Sequence, residues 1–110
     1  MAEIDGSILD RLFATVASRR GADPATSYTA KLYAEGTRRI AQKLGEEAVE
    51  AVIAAAAADR AALVGESADL IYHLLVSWAD AGIAPAEVWR TLEARMVTSG
   101  IAEKQSRTRT

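Results

Sequence analysis

The chain has 110 residues, 50% hydrophobic and 25% charged, with a formal net charge of −2. That suits one domain with a modest core, and it gives no electrostatic case for nucleic acid as the main partner. Cysteine is absent and histidine occurs once, which excludes disulfides, thiolate metal sites and a His-rich zinc centre. Any bound metal would be held mainly by oxygen, which favours Mg²⁺ or Mn²⁺.

No apolar run approaches the roughly 20 residues that a membrane helix needs. The longest candidate, Leu70 to Ala81, is interrupted by Tyr72, His73 and Ser77. The start, Met-Ala-Glu-Ile-Asp-Gly, is acidic and lacks the basic and apolar regions of a signal peptide. The default expectation is a soluble cytoplasmic protein. Most of the apolar content is alanine, and aromatics make up 5%, so closely packed helices are expected, with oligomerisation adding burial.

In chain order, Ile8, Leu9, Leu12, Phe13 and Val16 recur at helical spacing, predicting a first helix over Ser7 to Arg19. Asp5 or Ser7 can cap it, and Gly21 follows its end. Asp23-Pro24 marks a turn. Thr26 or Ser27 can cap a short helix from Tyr28 to Glu35, closed by Gly36. Ser27-Tyr28-Thr29 places three hydroxyls beside Lys31, readable either as a cap or as contacts to a phosphorylated ligand. Thr37 can cap a third helix to Ala57, with Ile40, Leu44, Val49, Val52 and Ile53 supplying apolar surface. Gly45 inside it is costly and suggests close approach of another backbone or a ligand. Arg38, Arg39 and Lys43 lie in its first half, where the macrodipole does not favour cations, which raises the odds of a phosphate role.

Ala58-Asp59-Arg60 is the polar break before a fourth helix, capped by Asp59 and ending at Gly82. Its expected core stripe is Leu63, Leu70, Ile71, Leu74, Leu75 and Trp78. His73 lies four residues after Asp69 on one face, as a structural histidine donating to a carboxylate or as a metal ligand. Pro85 opens a fifth helix to Val97, marked by Val88, Trp89, Leu92 and Met96. The polar end, 98–110, reads from composition as a frayed tail. The sum is one all-α domain over residues 1–110, a helical bundle of about five helices.

Two acidic segments interrupt this apolar pattern: Glu46-Glu47-Ala48-Val49-Glu50 and Glu66-Ser67-Ala68-Asp69. Residues three or four apart share a helix face. If the chain reverses at Ala58-Asp59, the two clusters face each other across a hairpin. Such a cluster, with no Lys or Arg interleaved at i+4, is repulsive unless a cation lies within it. Carboxylates from two facing helices can hold Mg²⁺, which binds phosphate oxygens and polarises phosphorus. These parts suit hydrolysis of a pyrophosphate bond. The competing readings are solvated helix faces on a non-enzymatic interaction module, and a di-iron bundle. The latter is discounted because no Glu-x-x-His occurs.

Glu-Glu-x-x-Glu at Glu46 to Glu50 followed by Glu-x-x-Asp at Glu66 to Asp69 resembles the signature of the all-α nucleoside triphosphate pyrophosphatases, which include the MazG-type enzymes. Ser27-Tyr28-Thr29-Ala30, Lys43-Leu44-Gly45 and Ser99-Gly100-Ile101-Ala102-Glu103-Lys104 narrow the resemblance to the phosphoribosyl-ATP pyrophosphatases. It extends from about Ile8 to Arg107. The resemblance implies Mg²⁺-dependent cleavage of phosphoribosyl-ATP between its α- and β-phosphates, the second step of histidine biosynthesis. It implies metal at Glu47, Glu50, Glu66 and Asp69, and assigns Glu46 either to the metal or to orienting the attacking water. Lys43 and Arg39 would neutralise phosphate charge, with Tyr28, Thr29, Lys104 and Arg107 as further substrate contacts. It implies a bundle completed by two or more chains, and an ordered tail near a site. The cyclohydrolase domain often fused to such enzymes has no room here, so the next step is expected from a separate protein. A housecleaning pyrophosphatase of non-standard (d)NTPs shares the same acids and is the nearest alternative.

Overall fold

The computed structural model describes residues 3–97 and Arg107. The described residues form five helices and no strand: α1 (Ile8–Ser18), α2 (Tyr28–Glu35), α3 (Thr37–Ala56), α4 (Arg60–Ala81) and α5 (Pro85–Met96). The long antiparallel hairpin of α3 and α4 is the frame, with α1 packed on α4 and α2 on α3.

The helix ends follow local chemistry. Ser27 accepts the Ala30 N–H at 3.1 Å, and Asp59 accepts the Ala62 N–H at 3.0 Å, each satisfying a donor in the first turn. Glu87 accepts the Ala84 N–H at 2.8 Å where Pro85 opens α5. Ser7 stands before α1 without capping it through its side chain; Asp5 instead accepts the Ser7 N–H at 2.9 Å. The expected Thr37 cap is also replaced. Gly36, at φ 97°, joins α2 to α3 in one residue, a conformation that a Cβ disfavours. The Thr37 hydroxyl donates to Asp80 at 2.7 Å on α4.

The hairpin turn is a Schellman motif. The Ala58 N–H donates to Ala55 O and the Asp59 N–H to Ala54 O, both at 3.1 Å. The same pattern closes α4, where Ile83 N–H reaches Trp78 O at 2.9 Å around Gly82 at φ 73°. At the hairpin turn the left-handed residue is Ala58, at φ 55°.

The core lies at the end of the hairpin away from that turn. Val16 of α1, Leu32 of α2, Ile40 of α3 and Val76 of α4 form one buried cluster, with Leu12, Tyr33, Tyr72 and Ala79 against it. Arg20 ties the same end together: it stacks over the Tyr33 ring at 4.4 Å and lies 3.6 Å from Asp80. The expected α4 stripe needs correcting, since Val76 and His73 are buried while Ile71 is exposed. Ile8 at the start of α1 and the α3 residues Val49, Val52 and Ile53 are exposed as well. Of the expected stripe, Leu75 is buried and Leu63, Leu70, Leu74 and Trp78 are half-buried, so the correction is confined to Ile71 and to the omission of Val76 and His73.

Candidate functional site

The acids occupy the middle of the hairpin, between the core and the turn. Antiparallel pairing about Ala58 brings the second turn and later of α3 level with the first half of α4. Carboxylate oxygens of Glu47, Glu66 and Asp69 lie within 4.8 Å of one another. Glu47 retains 9% of its exposure, and its Oε2, like Oε2 of Glu66, is buried without a hydrogen-bond partner. Buried polar atoms are normally satisfied, and a buried carboxylate oxygen left unpaired is costly.

Electrostatics point the same way. Burial raises the Glu47 carboxyl above the usual glutamate range, with hydrogen bonding and charge from Glu50 adding to it. Glu66 is raised first by hydrogen bonding to Glu50, then by burial and by the charges of Glu50, Asp69 and Glu47. Glu50 is exposed, and carboxylates gathered in this way repel one another unless a proton or a cation lies among them. The donor set is all carboxylate, which suits a hard divalent cation.

Glu46 pairs with a cation. Its Oε2 lies 3.1 Å from Lys43 Nζ, which also lies 3.8 Å from Glu47 Oε1, and Gln42 donates to its Oε1 at 3.4 Å. The bond from Lys43 holds the Glu46 carboxyl below its ordinary range, and the same bond raises Lys43. The cluster therefore does have a basic neighbour: Lys43 precedes Glu46 by three and Glu47 by four, an interleaving that a search forward from each acid passes over. Arg39 pairs with Glu35 at 3.1 Å on the exposed side of α3.

The remaining expected residues divide. Tyr28 is half exposed at the start of α2, its ring 6.3 Å from Tyr72 and edge-on to His73 at 6.1 Å. Thr29 is turned inward, its hydroxyl bonded to Tyr72. His73 is buried, and its Nδ1 lies 2.8 Å from the Asp69 backbone carbonyl. A carbonyl only accepts, so Nδ1 carries the proton; the partner is main chain, not the carboxylate that sequence suggested. Arg107 is exposed and helical. Lys104 and the tail motif lie outside the described residues. Tyr72, which orders Thr29 and backs Tyr28, was passed over as a break in an apolar run. Its position three residues after Asp69 was the available signal. Among the described residues, nothing outside the neighbouring turns of its own helix comes within 4 Å of where a Gly45 Cβ would lie, so no close approach among them explains it.

Two comparisons bear on this site. A family profile described as phosphoribosyl-ATP pyrophosphohydrolase matches residues 9–96. The phosphoribosyl-ATP pyrophosphatase of Azospirillum brasilense is 63% identical over 109 residues, spanning 97% of this chain and 98% of the relative. That of Paramagnetospirillum magneticum is 59% identical over 103 residues, with 94% of each covered. That of Gluconobacter oxydans is 56% identical over 100 residues, covering 91% of this chain and 75% of the relative.

Proposed function

The chain belongs to the phosphoribosyl-ATP pyrophosphohydrolase family, and on that footing we propose that it hydrolyses the α–β phosphoanhydride of phosphoribosyl-ATP, giving phosphoribosyl-AMP and pyrophosphate, as the second step of histidine biosynthesis. The observation that carries a site for this chemistry is the carboxylate group of Glu47, Glu66 and Asp69 with two buried, unpaired oxygens. Mg²⁺, with Mn²⁺ as a substitute, fits Glu47, Glu66 and Asp69 with Glu50 at the rim. When bound, such an ion polarises phosphoryl oxygens and offsets the charge that develops on them.

The chain's own residues supply the rest. Lys43, anchored by Glu46, presents an ammonium to non-bridging phosphate oxygens. Glu46 thereby positions a cation. Glu50, exposed beside Glu47 and Glu66, would take a proton from the attacking water. Tyr28 faces the substrate, and Thr29 supports it through Tyr72. By resemblance, Arg39 would neutralise phosphate charge, and Lys104 and Arg107 would be further substrate contacts. Val49, Val52, Ile53 and Val64 leave apolar surface exposed on both hairpin helices, which supports assembly of two or more copies. No helix among the described residues is long and apolar enough to cross a membrane, and a diffusible nucleotide substrate suits the cytoplasm.

The test is pyrophosphate release from phosphoribosyl-ATP with and without Mg²⁺, beside a panel of dNTPs. Mg²⁺-dependent turnover that is fastest on phosphoribosyl-ATP is expected. Faster turnover of dNTPs, or none on any substrate, contradicts the reading.

A further inference from the structure

A surface tyrosine ordinarily buries its ring and keeps its hydroxyl in water. Tyr28 is turned the other way. Its hydroxyl lies 3.5 Å from Nε2 of His73, a residue only 6% exposed, while Tyr28 keeps 49% of its surface in solvent. Whichever of the two atoms holds the hydrogen, the polar tip points into the protein and the apolar ring is left half in water.

Neighbouring rings hold that pose. Tyr72 lies behind Tyr28, with centroids 6.3 Å apart and planes inclined by 28°, and His73 meets Tyr28 edge-on at 76°. Tyr72 is itself fixed. It packs against the core cluster, meets His73 edge-on at 4.9 Å between centroids, and bonds through its hydroxyl to buried Thr29. Ser27 caps the turn of α2 that carries both Tyr28 and Thr29. With Tyr72 on one face of the Tyr28 ring, the opposite face is the one left to solvent. That face adjoins the groups assigned to phosphate. His73 is bonded to the Asp69 carbonyl, and Tyr28 is near enough to Lys43 for the two to interact electrostatically.

We propose that the outer face of Tyr28 is the stacking platform for the purine base of the nucleotide, and that Tyr72 is the positioning residue that holds this face outward. The identity of the ligand rests on the nucleotide-hydrolase reading; the pose of the rings does not. A base laid on Tyr28 covers the apolar surface that the inward hydroxyl leaves wet. Stacking uses the π-face and needs no particular donor or acceptor at either ring. Tyr28 thus takes the base while Lys43 meets the phosphates.

Binding is tested without turnover, by NMR of the whole chain with AMP as the probe and ribose 5-phosphate as the control, both with Mg²⁺. The Tyr28 ring protons, assigned by their loss in Tyr28→Phe, are expected to move upfield with AMP and to stay in place with ribose 5-phosphate. Tyr28 protons unmoved by millimolar AMP, or moved equally by both probes, overturn the proposal. Kinetics on phosphoribosyl-ATP test its use. Tyr28→Leu keeps apolar bulk without a π-face and is expected to raise KM about tenfold or more with little change in kcat, whereas Tyr28→Phe stays within about twofold. Equal effects of Leu and Phe, or a KM unchanged in Tyr28→Leu, contradict the platform. Tyr28→Leu that instead dissociates the protein in sedimentation with KM unchanged makes Tyr28 an interface residue and also contradicts it. Tyr72→Met fills the space behind Tyr28 without a flat face. It is expected to raise KM as Tyr28→Leu does and to shrink the AMP shift, while Tyr72→Phe restores both, and Tyr28→Leu with Tyr72→Met is no worse than Tyr28→Leu alone. Additive effects, or an AMP shift undiminished in Tyr72→Met, overturn the positioning role. Upfield AMP shifts in a wild type that turns over no phosphoribosyl-ATP would leave the platform standing and count against the proposed function.

Discussion

The two ends of the α3–α4 hairpin are built differently. At the end remote from the turn, Ile40 and Val76 are covered by Val16 of α1 and Leu32 of α2, and Arg20, Tyr33, Thr37 and Asp80 close the rim with polar contacts. At the turn end, α3 and α4 meet through alanines such as Ala54, while Val52, Ile53 and Val64 face outward. The acids lie where one regime gives way to the other. The packed end supplies rigidity, and the small residues of the turn end let two helices approach closely enough to juxtapose carboxylates. A site made of repelling charges needs both, since without the packed end the hairpin would open to relieve the repulsion.

The largest effect expected on breaking this arrangement is on activity. Glu47→Gln or Asp69→Asn should lower turnover of phosphoribosyl-ATP at least about a hundredfold, while circular dichroism stays unchanged. Without metal, Glu47→Gln should melt slightly higher than the wild type, because a buried like charge has been removed. Near wild-type turnover in either variant would remove that residue from the site.

The next effect separates the two ends by stability. Leu32→Ala, at a fully buried position, should cost about 2–5 kcal/mol in denaturant unfolding. Val52→Ala, where the residue is 65% exposed, should cost under about 0.5 kcal/mol in a single chain. If copies of the chain cover the turn end, Val52→Asp will instead shift the mass in sedimentation, which makes the exposed end an interface and sharpens the contrast.

Smaller effects lie in the backbone. Ala58→Gly should raise stability by up to about 1 kcal/mol, since Ala58 occupies a left-handed position that glycine fills at Gly82. Gly45→Ala should add about 1 kcal/mol of helix propensity with no clash among the described residues. A loss of activity despite that gain would mean that substrate or a second copy approaches there.

The acids also set a pH dependence. Glu47 and Glu66 have carboxyls raised in the fold, so the folded chain binds protons more tightly than the unfolded one. Their contribution to stability is full below the ordinary glutamate range and is lost as pH rises through their raised values. Metal-free thermal stability should therefore fall as pH rises from the ordinary glutamate range toward neutrality, and a Glu47→Gln, Glu66→Gln double variant should flatten that fall.

Much of this was legible in sequence, for physical reasons that also explain the rest. Helix ends were set by local punctuation at Ser27, Gly36, Asp59, Gly82 and Pro85, so the five helices are found within a residue of their expected bounds. The facing of the acids followed from helical period and the break at Ala58. Burial was less legible, because periodicity finds a helix's apolar face without saying whether another element covers it. Val76 is buried because α1 and α2 both reach it, whereas Ile71, larger and on a neighbouring face, is left exposed. Thr37 looked like a cap, but Asp80, 43 residues away, is its partner. The same limit hid the division of labour among the acids. Spacing grouped Glu46 with Glu47 and Glu50, and only side-chain geometry separates the Glu46–Lys43 pair from the group of Glu47, Glu66 and Asp69.

The most direct test of the central claim, that these carboxylates are completed by a divalent cation, is thermal unfolding at neutral pH across a Mg²⁺ titration, with Mn²⁺ in parallel. A ligand that prefers the folded state raises the melting temperature in proportion to the logarithm of its excess over Kd. The wild-type chain should show that rise, and Glu47→Gln and Asp69→Asn should lose most of it. A wild-type melting temperature indifferent to both cations would contradict the claim.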